Sequence, residues 1–332
     1  MGHDVRNEEA RNPAEGPVSG GAGDRSRDVA FESGGLRLAG SYSEPARPGS
    51  FPALLMLAGS GQTDRDDNAP KLRIDALRQI AMFLALKGFA SLRYDKRGVG
   101  DSEGDYWKTG FDDRLTDAAA GLAWLRSQGT VDPDRVFVLG HSEGALLAIR
   151  LAGSDAPLAG VILLAGAGRS GEETLIWQAQ RIAQSLRGFS RWVIDALHID
   201  VRKSQQKALD RIKRTKADWV RVQLVQKVNA KWMREFLAYD PAEDLARIRV
   251  PVLAITGSKD IQVNPADLEL MAGLITSDFE PNVVPDVTHL LRADPGEPTM
   301  GTYRKQSQRP VDQRVLELIE DWLERTSSSL QA

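Results

Sequence analysis

The chain has 332 residues and a net charge of −3 at pH 7, and 42% of its residues are hydrophobic. This hydrophobic content is sufficient for a substantial core, so the composition excludes a globally disordered chain. The near-neutral charge gives no electrostatic basis for binding nucleic acid or an anionic membrane surface. Because the chain has no cysteine, disulfides, thiolate metal sites and a cysteine nucleophile are excluded.

The N-terminal segment is polar. Its first residues contain no apolar core of a signal peptide, and no later window of the sequence is apolar over the length that a membrane span requires. We therefore expect a cytoplasmic protein without a membrane span. Residues 1–26 are rich in polar residues and glycine, and we expect them to form a flexible tail.

The first half of the remaining chain alternates between predicted strands and helices. Two strand-like runs flank Ser33-Gly34-Gly35 and predict an antiparallel hairpin over residues 29–42. Residues 45–52 are predicted to form a loop. The elements predicted next are a strand at 53–57, a helix at 71–87, a strand at 89–94 and a helix at 112–127.

The second half repeats this alternation around one long insertion. Residues 169–239 show helical periodicity, for example at Val220, Leu224 and Val228, and no convincing strand, so we predict a helical cap there. The other predicted elements are strands at 135–139, 161–165, 250–256 and 282–284 and helices at 145–152, 265–274 and 311–324. Strands alternating with helices predict an α/β fold, with a mostly parallel sheet covered by helices on both faces. Residues 27–168 and 240–328 would form its core.

The segment Gly140-His141-Ser142-Glu143-Gly144 lies between a predicted strand and a predicted helix. This order is the one that a nucleophile elbow requires, with the serine exposed on a sharp turn at the end of the strand. The glycines on either side allow that turn without a Cβ clash. A serine that only caps the following helix is the alternative, but the placement favours Ser142 as a nucleophile.

A serine nucleophile needs a base, and the chain has only four histidines. His3 lies in the tail, His198 lies in the predicted cap, and the side chain of His141 should point away from the adjacent serine. His289 follows the last short strand, where a parallel sheet delivers side chains to the crevice at its carboxyl edge. We therefore predict His289 as the base.

The acid that orients this base is expected between the serine and the histidine in the sequence. Asp260 follows the strand that ends at Thr256 and fits that order. Asp286 and Asp294 are nearer to His289 in sequence, but an aspartate so close in the same loop is more often a turn-former. Asp260 is the preferred acid, and Asp286 is the main alternative.

Two loops at the ends of predicted strands add to this arrangement. The glycine-rich loop at residues 58–66 leaves backbone N–H groups free to point at an oxygen, although an ordinary turn would have the same composition. The charged turn at residues 95–102 follows the next strand. For Asp95 and Arg97 we favour a structural role, in which they hold neighbouring loops.

Taken together, these segments resemble serine hydrolases of the α/β-hydrolase superfamily, and the resemblance covers residues 27–326. It is carried by the turn Asp95-x-Arg97-Gly98-x-Gly100-x-Ser102, the elbow at 140–144, Gly257-x-x-Asp260 and the His289 loop. Residues 59–66 further resemble the G-S-G-x-x-D-R-D segment of bacterial acyl esterases of the acylaminoacyl-peptidase-like or dienelactone-hydrolase-like group. Ala58 departs from that pattern, because many superfamily members carry histidine before the glycine.

The resemblance implies hydrolysis of a small-molecule carboxylic ester through an acyl-enzyme, with Ser142, His289 and Asp260 as the catalytic triad. The oxyanion hole would consist of the backbone N–H groups of Ser60 and Glu143. Neither a metal nor an organic cofactor is implied, and a homo-oligomer is compatible with the sequence. A peptidase or amidase, a thioesterase or an acyltransferase would use the same triad. A non-catalytic ligand-binding protein on a hydrolase scaffold is a further alternative.

The predicted cap is rich in tryptophan. It contains four of the chain's seven tryptophans, namely Trp177, Trp192, Trp219 and Trp232. Their rings would either pack the cap's own core or line the substrate pocket. Because ligand sites are lined mainly by apolar and aromatic side chains, we expect at least one of the four to face the pocket.

Overall fold

The computed structural model describes residues 24–185, 201–222 and 226–330. The predicted tail up to residue 23 lies outside these ranges, as do His3, Trp192, His198 and Leu224. Within the described ranges, no helix combines the length and the apolar composition needed to cross a membrane.

The predicted mostly parallel sheet is confirmed. The strands among the described residues are β1 (Asp24–Ser33), β2 (Leu36–Pro45), β3 (Phe51–Leu57), β4 (Ala90–Tyr94), β5 (Val131–His141), β6 (Gly160–Leu164), β7 (Trp219–Val222), β8 (Gln226–Asn229), β9 (Val252–Gly257) and β10 (Phe279–Val284). Eight of them form one sheet in the order β1-β2-β4-β3-β5-β6-β9-β10. β2 is antiparallel to both of its neighbours, and all other pairs in this sheet are parallel.

Helices cover both faces of this sheet, as predicted. In chain order they are α1 (Ala76–Leu86), α2 (Phe111–Arg126), α3 (Glu143–Gly153), α4 (Gly171–Ser185), α5 (Val201–Arg214), α6 (Ala230–Ala238), α7 (Ala242–Arg247), α8 (Asp267–Leu274), α9 (Tyr303–Gln306) and α10 (Gln313–Ser329). Helices α2 and α3 pack on one face, and α1 and α10 pack on the other.

β3 shows how the sequence divides the core between the two faces. Leu55 and Leu57 join the cluster under α2 and α3, whereas Leu54 and Met56 join the cluster under α1 and α10. All four are buried, as expected of a strand covered on both faces. Since β3, β4, β5, β9 and β10 are parallel, the loops that follow them meet at one edge of the sheet.

The predicted cap region contains an antiparallel hairpin, formed by β7 and β8, that the sequence analysis did not anticipate. The prediction of no strand there was wrong. Val220 pairs with Val228 across the hairpin, so a spacing of eight residues that is typical of one helix face arises here from cross-strand pairing. Helices α4, α5 and α6 of this region pack against one another, and α6 also packs on α2.

Several element boundaries also differ from the prediction, among them the starts of β1 and α1. β1 begins at Asp24 and so includes residues assigned to the tail. α1 begins at Ala76 rather than at residue 71, because Asp75 adopts a left-handed conformation with φ 52° that interrupts the helix. Ahead of it, Ala69 and Leu72 pair as an isolated bridge.

Candidate active site

Ser142 occupies a sharp turn between the last residue of β5 and the first residue of α3. Its backbone has φ 56° and ψ −115°, a sparsely populated conformation for a residue with a Cβ atom. The Ser142 N–H donates to the carbonyl of Leu164 at 2.8 Å. The neighbouring strand β6 therefore holds the strained turn in place.

The two glycines of the elbow are required by close packing. A Cβ atom on Gly140 would lie 2.1 Å from the carbonyl oxygen of Gly144. A Cβ atom on Gly144 would lie 2.1 Å from the carbonyl oxygen of Leu57, on the adjacent strand β3. The elbow therefore folds tightly against itself and against the sheet, and neither glycine has room for a Cβ atom.

The structure brings together the three residues predicted as a triad. Nε2 of His289 lies 3.1 Å from Oγ of Ser142, and Nδ1 of the same ring lies 2.7 Å from Oδ2 of Asp260. The second carboxylate oxygen of Asp260 accepts hydrogen bonds from the N–H groups of Gln262 and Val263, at 2.7 and 2.9 Å. Both Asp260 and His289 are buried, so the carboxylate is held in one orientation toward the imidazole.

The two aspartates considered as alternative acids, Asp286 and Asp294, have other partners. Asp286 has φ 60° and pairs with Lys259 at 2.8 Å, with a side chain that is 60% exposed. The Asp294 carboxylate accepts hydrogen bonds from Gln306 and Thr302. Asp286 is thus a turn residue, and Asp260 is the carboxylate that contacts His289.

The loop after β3 lies directly beside the elbow. Ser60, Ser142 and Glu143 line the same pocket. A Cβ atom on Gly59 would lie 3.4 Å from Cβ of Ser142, so the Gly59 backbone is adjacent to the serine. The two residues predicted to supply oxyanion-hole amides therefore line the same pocket as Ser142.

The side chain of Glu143 forms a buried ion pair with Arg114 of α2. The Arg114 guanidinium also lies 5.4 Å from the ring centroids of Tyr106 and of Trp232. Burial lowers the pKa of Arg114, but the charges of Glu143 and Tyr106 and the hydrogen bonds to both side chains together outweigh burial, and the pKa is raised. The start of α3 is therefore anchored by a permanently charged arginine.

Asp67 and His141 form a second buried pair. Neither residue belongs to the site that was predicted from the sequence. Oδ2 of Asp67 lies 2.5 Å from Nδ1 of His141, and Nε2 of His141 lies 2.9 Å from the carbonyl oxygen of His289. The other oxygen of Asp67 accepts the Gly59 N–H at 2.8 Å. His141 does point away from the Ser142 hydroxyl, but it does so to hold the histidine loop.

Comparison with known proteins gives the chain's family. A family model described as serine aminopeptidase, S33, matches residues 73–296. The chain belongs to this family. The esterase EstD of Thermotoga maritima is 30% identical over 288 residues, which cover 86% of this chain and 65% of that protein. The chain therefore spans just under two thirds of that relative's length.

Solved structures place the S33-family chain in the α/β-hydrolase fold. Est1E from Butyrivibrio proteoclasticus, with ferulic acid bound, superposes with a TM-score of 0.60 at 17% identity, over 91% of this chain and 98% of that chain. An acetyl xylan esterase from Paenibacillus sp. R4 gives a TM-score of 0.56 at 18% identity, over 83% of this chain and 82% of that one. At these identities the likeness concerns the fold, and it agrees with the fold predicted from the motifs.

The charged turn of this S33-family protein ties loops together, as we favoured. Asp95 accepts hydrogen bonds from the Arg65 backbone N–H at 2.7 Å and from its guanidinium at 2.6 Å. Arg97 pairs with Asp117 of α2 at 2.6 Å. Neither Asp95 nor Arg97 contacts the Ser142 hydroxyl.

A cavity of about 50 Å³ opens at Ser142. Its apolar lining residues are Leu146, Ala167, Leu175, Trp232, Phe236 and Val263. Gln178 of α4 also lines it and donates to Gln262 of the acid loop at 3.1 Å. Trp232, from the predicted cap, is the described tryptophan that faces this cavity, since Trp219 is 43% exposed and Trp177 lies beside Arg181.

Proposed function

We propose that this protein is a serine esterase that cleaves carboxylic esters through an acyl-enzyme intermediate on Ser142. The observation that carries the proposal is the 3.1 Å contact between Ser142 Oγ and His289 Nε2, with Asp260 at 2.7 Å from the other ring nitrogen. A serine hydroxyl becomes a strong nucleophile only when a positioned base takes its proton. The family match and the esterase name of the Thermotoga relative support the same reaction class.

In the first step, His289 takes the proton of Ser142 while Oγ attacks the ester carbonyl. Asp260 stabilises the resulting imidazolium and keeps the ring oriented. The bond between the carbonyl carbon and the alcohol oxygen then breaks, and His289 returns the proton to the leaving alcohol. The acyl group remains on Ser142 as an ester.

In the second step, His289 deprotonates a water molecule that attacks the acyl-enzyme, and the acid leaves as Ser142 regains its proton. Both steps pass through a tetrahedral oxyanion. We assign its stabilisation to the backbone N–H groups of Glu143 and Ser60, because donors placed before the reaction cost no reorganisation when the charge forms.

The cavity at Ser142 favours a small apolar acyl group. Its walls are mainly aliphatic and aromatic, and its volume of about 50 Å³ leaves little room for a long chain. Trp232 and Phe236, whose stacked rings lie 4.8 Å apart between centroids, are among the side chains that bound it. We therefore expect acetyl and propionyl esters to be better substrates than long-chain esters.

Hydrolysis of p-nitrophenyl esters, aminoacyl anilides and acyl-CoA thioesters tests the reaction class. We expect turnover of short p-nitrophenyl esters, and labelling of Ser142 by a fluorophosphonate. Ser142→Ala and His289→Ala should each lower kcat roughly 10⁴- to 10⁶-fold, and the double variant should lose little more. Preference for anilides or thioesters would reassign the substrate class.

Unlabelled wild-type protein would support the ligand-binding alternative, because only an activated serine reacts with the fluorophosphonate. Ester hydrolysis retained by the Ser142→Ala variant would refute the proposed mechanism.

A further inference from the structure

Lys96 is a buried lysine that the mechanism above does not use. It follows β4, and only 6% of its surface is exposed. Its ammonium group donates to the carbonyl oxygen of Gly59, to Oγ1 of Thr63 at 2.8 Å and to the carbonyl oxygen of Gly61 at 3.3 Å. All three acceptors belong to the loop that carries the proposed oxyanion donor Ser60.

The contact with Gly59 bears directly on Ser60, because the Gly59 carbonyl and the Ser60 N–H belong to the same peptide unit. A trans peptide is planar, and its C=O and N–H point in opposite directions. Fixing the carbonyl therefore fixes the direction of the N–H. The Thr63 hydroxyl also donates to the Gly59 carbonyl, at 2.7 Å, so two donors hold this oxygen on the side away from the amide.

We propose that Lys96 is a positioning residue of the oxyanion hole, which aims and polarises the Ser60 N–H through the Gly59 carbonyl. A positive charge on the carbonyl end of a peptide makes its N–H a stronger donor, since linked hydrogen bonds polarise one another in a low-dielectric interior. The inference rests on the proposed function, because it needs an oxyanion at Ser142.

The charges around Lys96 make this effect sensitive to pH. Burial lowers the pKa of Lys96 from its usual 10.5 to about 8, although the Glu143 and Asp67 carboxylates favour the ammonium form. The nearby Arg114 guanidinium, by contrast, disfavours the ammonium form and lowers the pKa of Lys96. Tyr94 and Asp117 line the same small cavity as Lys96. The ammonium is therefore charged below about pH 8 and loses its charge as the pH rises through that value.

The test is Lys96→Met, which keeps the length of the side chain and removes its charge and donors. With p-nitrophenyl acetate, we expect kcat to fall roughly 10- to 100-fold, less than the full loss of an oxyanion donor, with KM changed less than about threefold. Affinity for an arylboronic acid, which forms a tetrahedral adduct on serine, should fall by a similar factor. Wild-type kcat should decline above about pH 8, and the variant should lack this decline.

Lys87→Met is the matched control, because Lys87 is 40% exposed and pairs with Glu320 on the opposite face of the sheet. It should retain wild-type kcat and pH dependence. A folded Lys96→Met with kcat within twofold of wild type, or with the alkaline decline preserved, would overturn the proposal. If Ser142→Ala keeps ester hydrolysis, the proposed function itself fails, so the two failures are distinguishable.

Thr63 provides the deciding variants if Lys96→Met does not fold. Thr63→Val removes one donor to the Gly59 carbonyl and one acceptor of Lys96 with little change in shape. We expect kcat to fall about tenfold at unchanged KM, and Thr63→Ser to restore it. Wild-type kcat in Thr63→Val would contradict the positioning role.

Discussion

The Asp67 carboxylate lies 2.5 Å from Nδ1 of His141, in a pair that is buried on all sides. The other ring nitrogen faces the His289 carbonyl, which is also an acceptor. Because an ionised carboxylate and a carbonyl can only accept, the imidazolium form, in which both ring nitrogens donate, satisfies both partners. The pair joins the Gly59 loop to the His289 loop, so it sets the spacing between the proposed oxyanion hole and the proposed base.

Asp67→Asn tests this pair through its effect on stability. Burial lowers the pKa of His141, but the Asp67 charge and hydrogen bond raise it above its usual 6.5. The stabilisation is therefore complete below pH 6.5 and is lost as the pH rises through the raised pKa. We expect Asp67→Asn to lower the free energy of unfolding at pH 6 by roughly 3 kcal/mol, as for a broken buried pair, and by less once the pH exceeds the raised pKa of His141.

Urea unfolding of both proteins from pH 6 to pH 9 measures this difference. Asp101→Asn is the control, because its side chain is 82% exposed and its ion pair with Arg65 should contribute less than about 1 kcal/mol. An Asp67→Asn variant as stable as the wild-type protein at pH 6 would contradict the buried ion pair.

The acid of the proposed triad can be assigned by comparing two aspartates. Asp260→Asn should lower kcat on the order of 10⁴-fold while the fold is retained, because the amide favours the wrong tautomer of His289. Asp286→Asn should keep nearly full activity, since Asp286 is exposed and asparagine tolerates its left-handed backbone. Steady-state kinetics with p-nitrophenyl acetate decides, and the reverse ranking would transfer the role to Asp286.

Gly144→Ala tests how tightly the elbow packs against β3. The new Cβ atom would lie 2.1 Å from the Leu57 carbonyl, where only backbone can move. We expect a loss of stability on the order of 3 kcal/mol together with a loss of activity. Gly129→Ala is the control, because its Cβ atom would meet nothing within 4 Å. Thermal melts of the two variants give the comparison, and equal stability would mean that the elbow can relax.

The buried charge of Lys96 should affect the free energy of unfolding as well as kcat. Its pKa is lowered in the folded protein, so the unfolded chain binds more protons between about pH 8 and pH 10.5. Stability relative to Lys96→Met should therefore rise with pH across that window, by on the order of 3 kcal/mol in total. Unfolding free energies at pH 7.5 and pH 10 measure this rise. A flat difference would mean that Lys96 keeps its usual pKa.

The features that could be predicted from the sequence are those marked by residues that lie close together in the chain. The elbow at Ser142 is defined by a strand, two glycines and a helix within a short segment, and His289 is predicted because it follows a strand at the carboxyl edge of the sheet. Asp67 and His141 are 74 residues apart, and no local pattern marks Asp67 as the partner of a histidine. The β7–β8 hairpin was missed because Val220 and Val228 satisfy both a helical spacing and a cross-strand pair.

Trp232 is the residue of the predicted cap that we expect to select the acyl group. It lines the cavity at Ser142 and belongs to the segment between β6 and β9. Trp232→Ala should shift the ratio of kcat/KM for p-nitrophenyl octanoate over acetate toward the longer ester, by roughly 1–3 kcal/mol of discrimination.

Trp219→Ala is the control, because Trp219 is 43% exposed and contacts Lys227 rather than the pocket. Since the Trp232 ring also lies 5.4 Å from Arg114, melting temperatures must be compared separately, and Trp232→Phe should give a smaller shift in the same direction. An unchanged chain-length profile in a stable Trp232→Ala would show that this ring does not select the substrate.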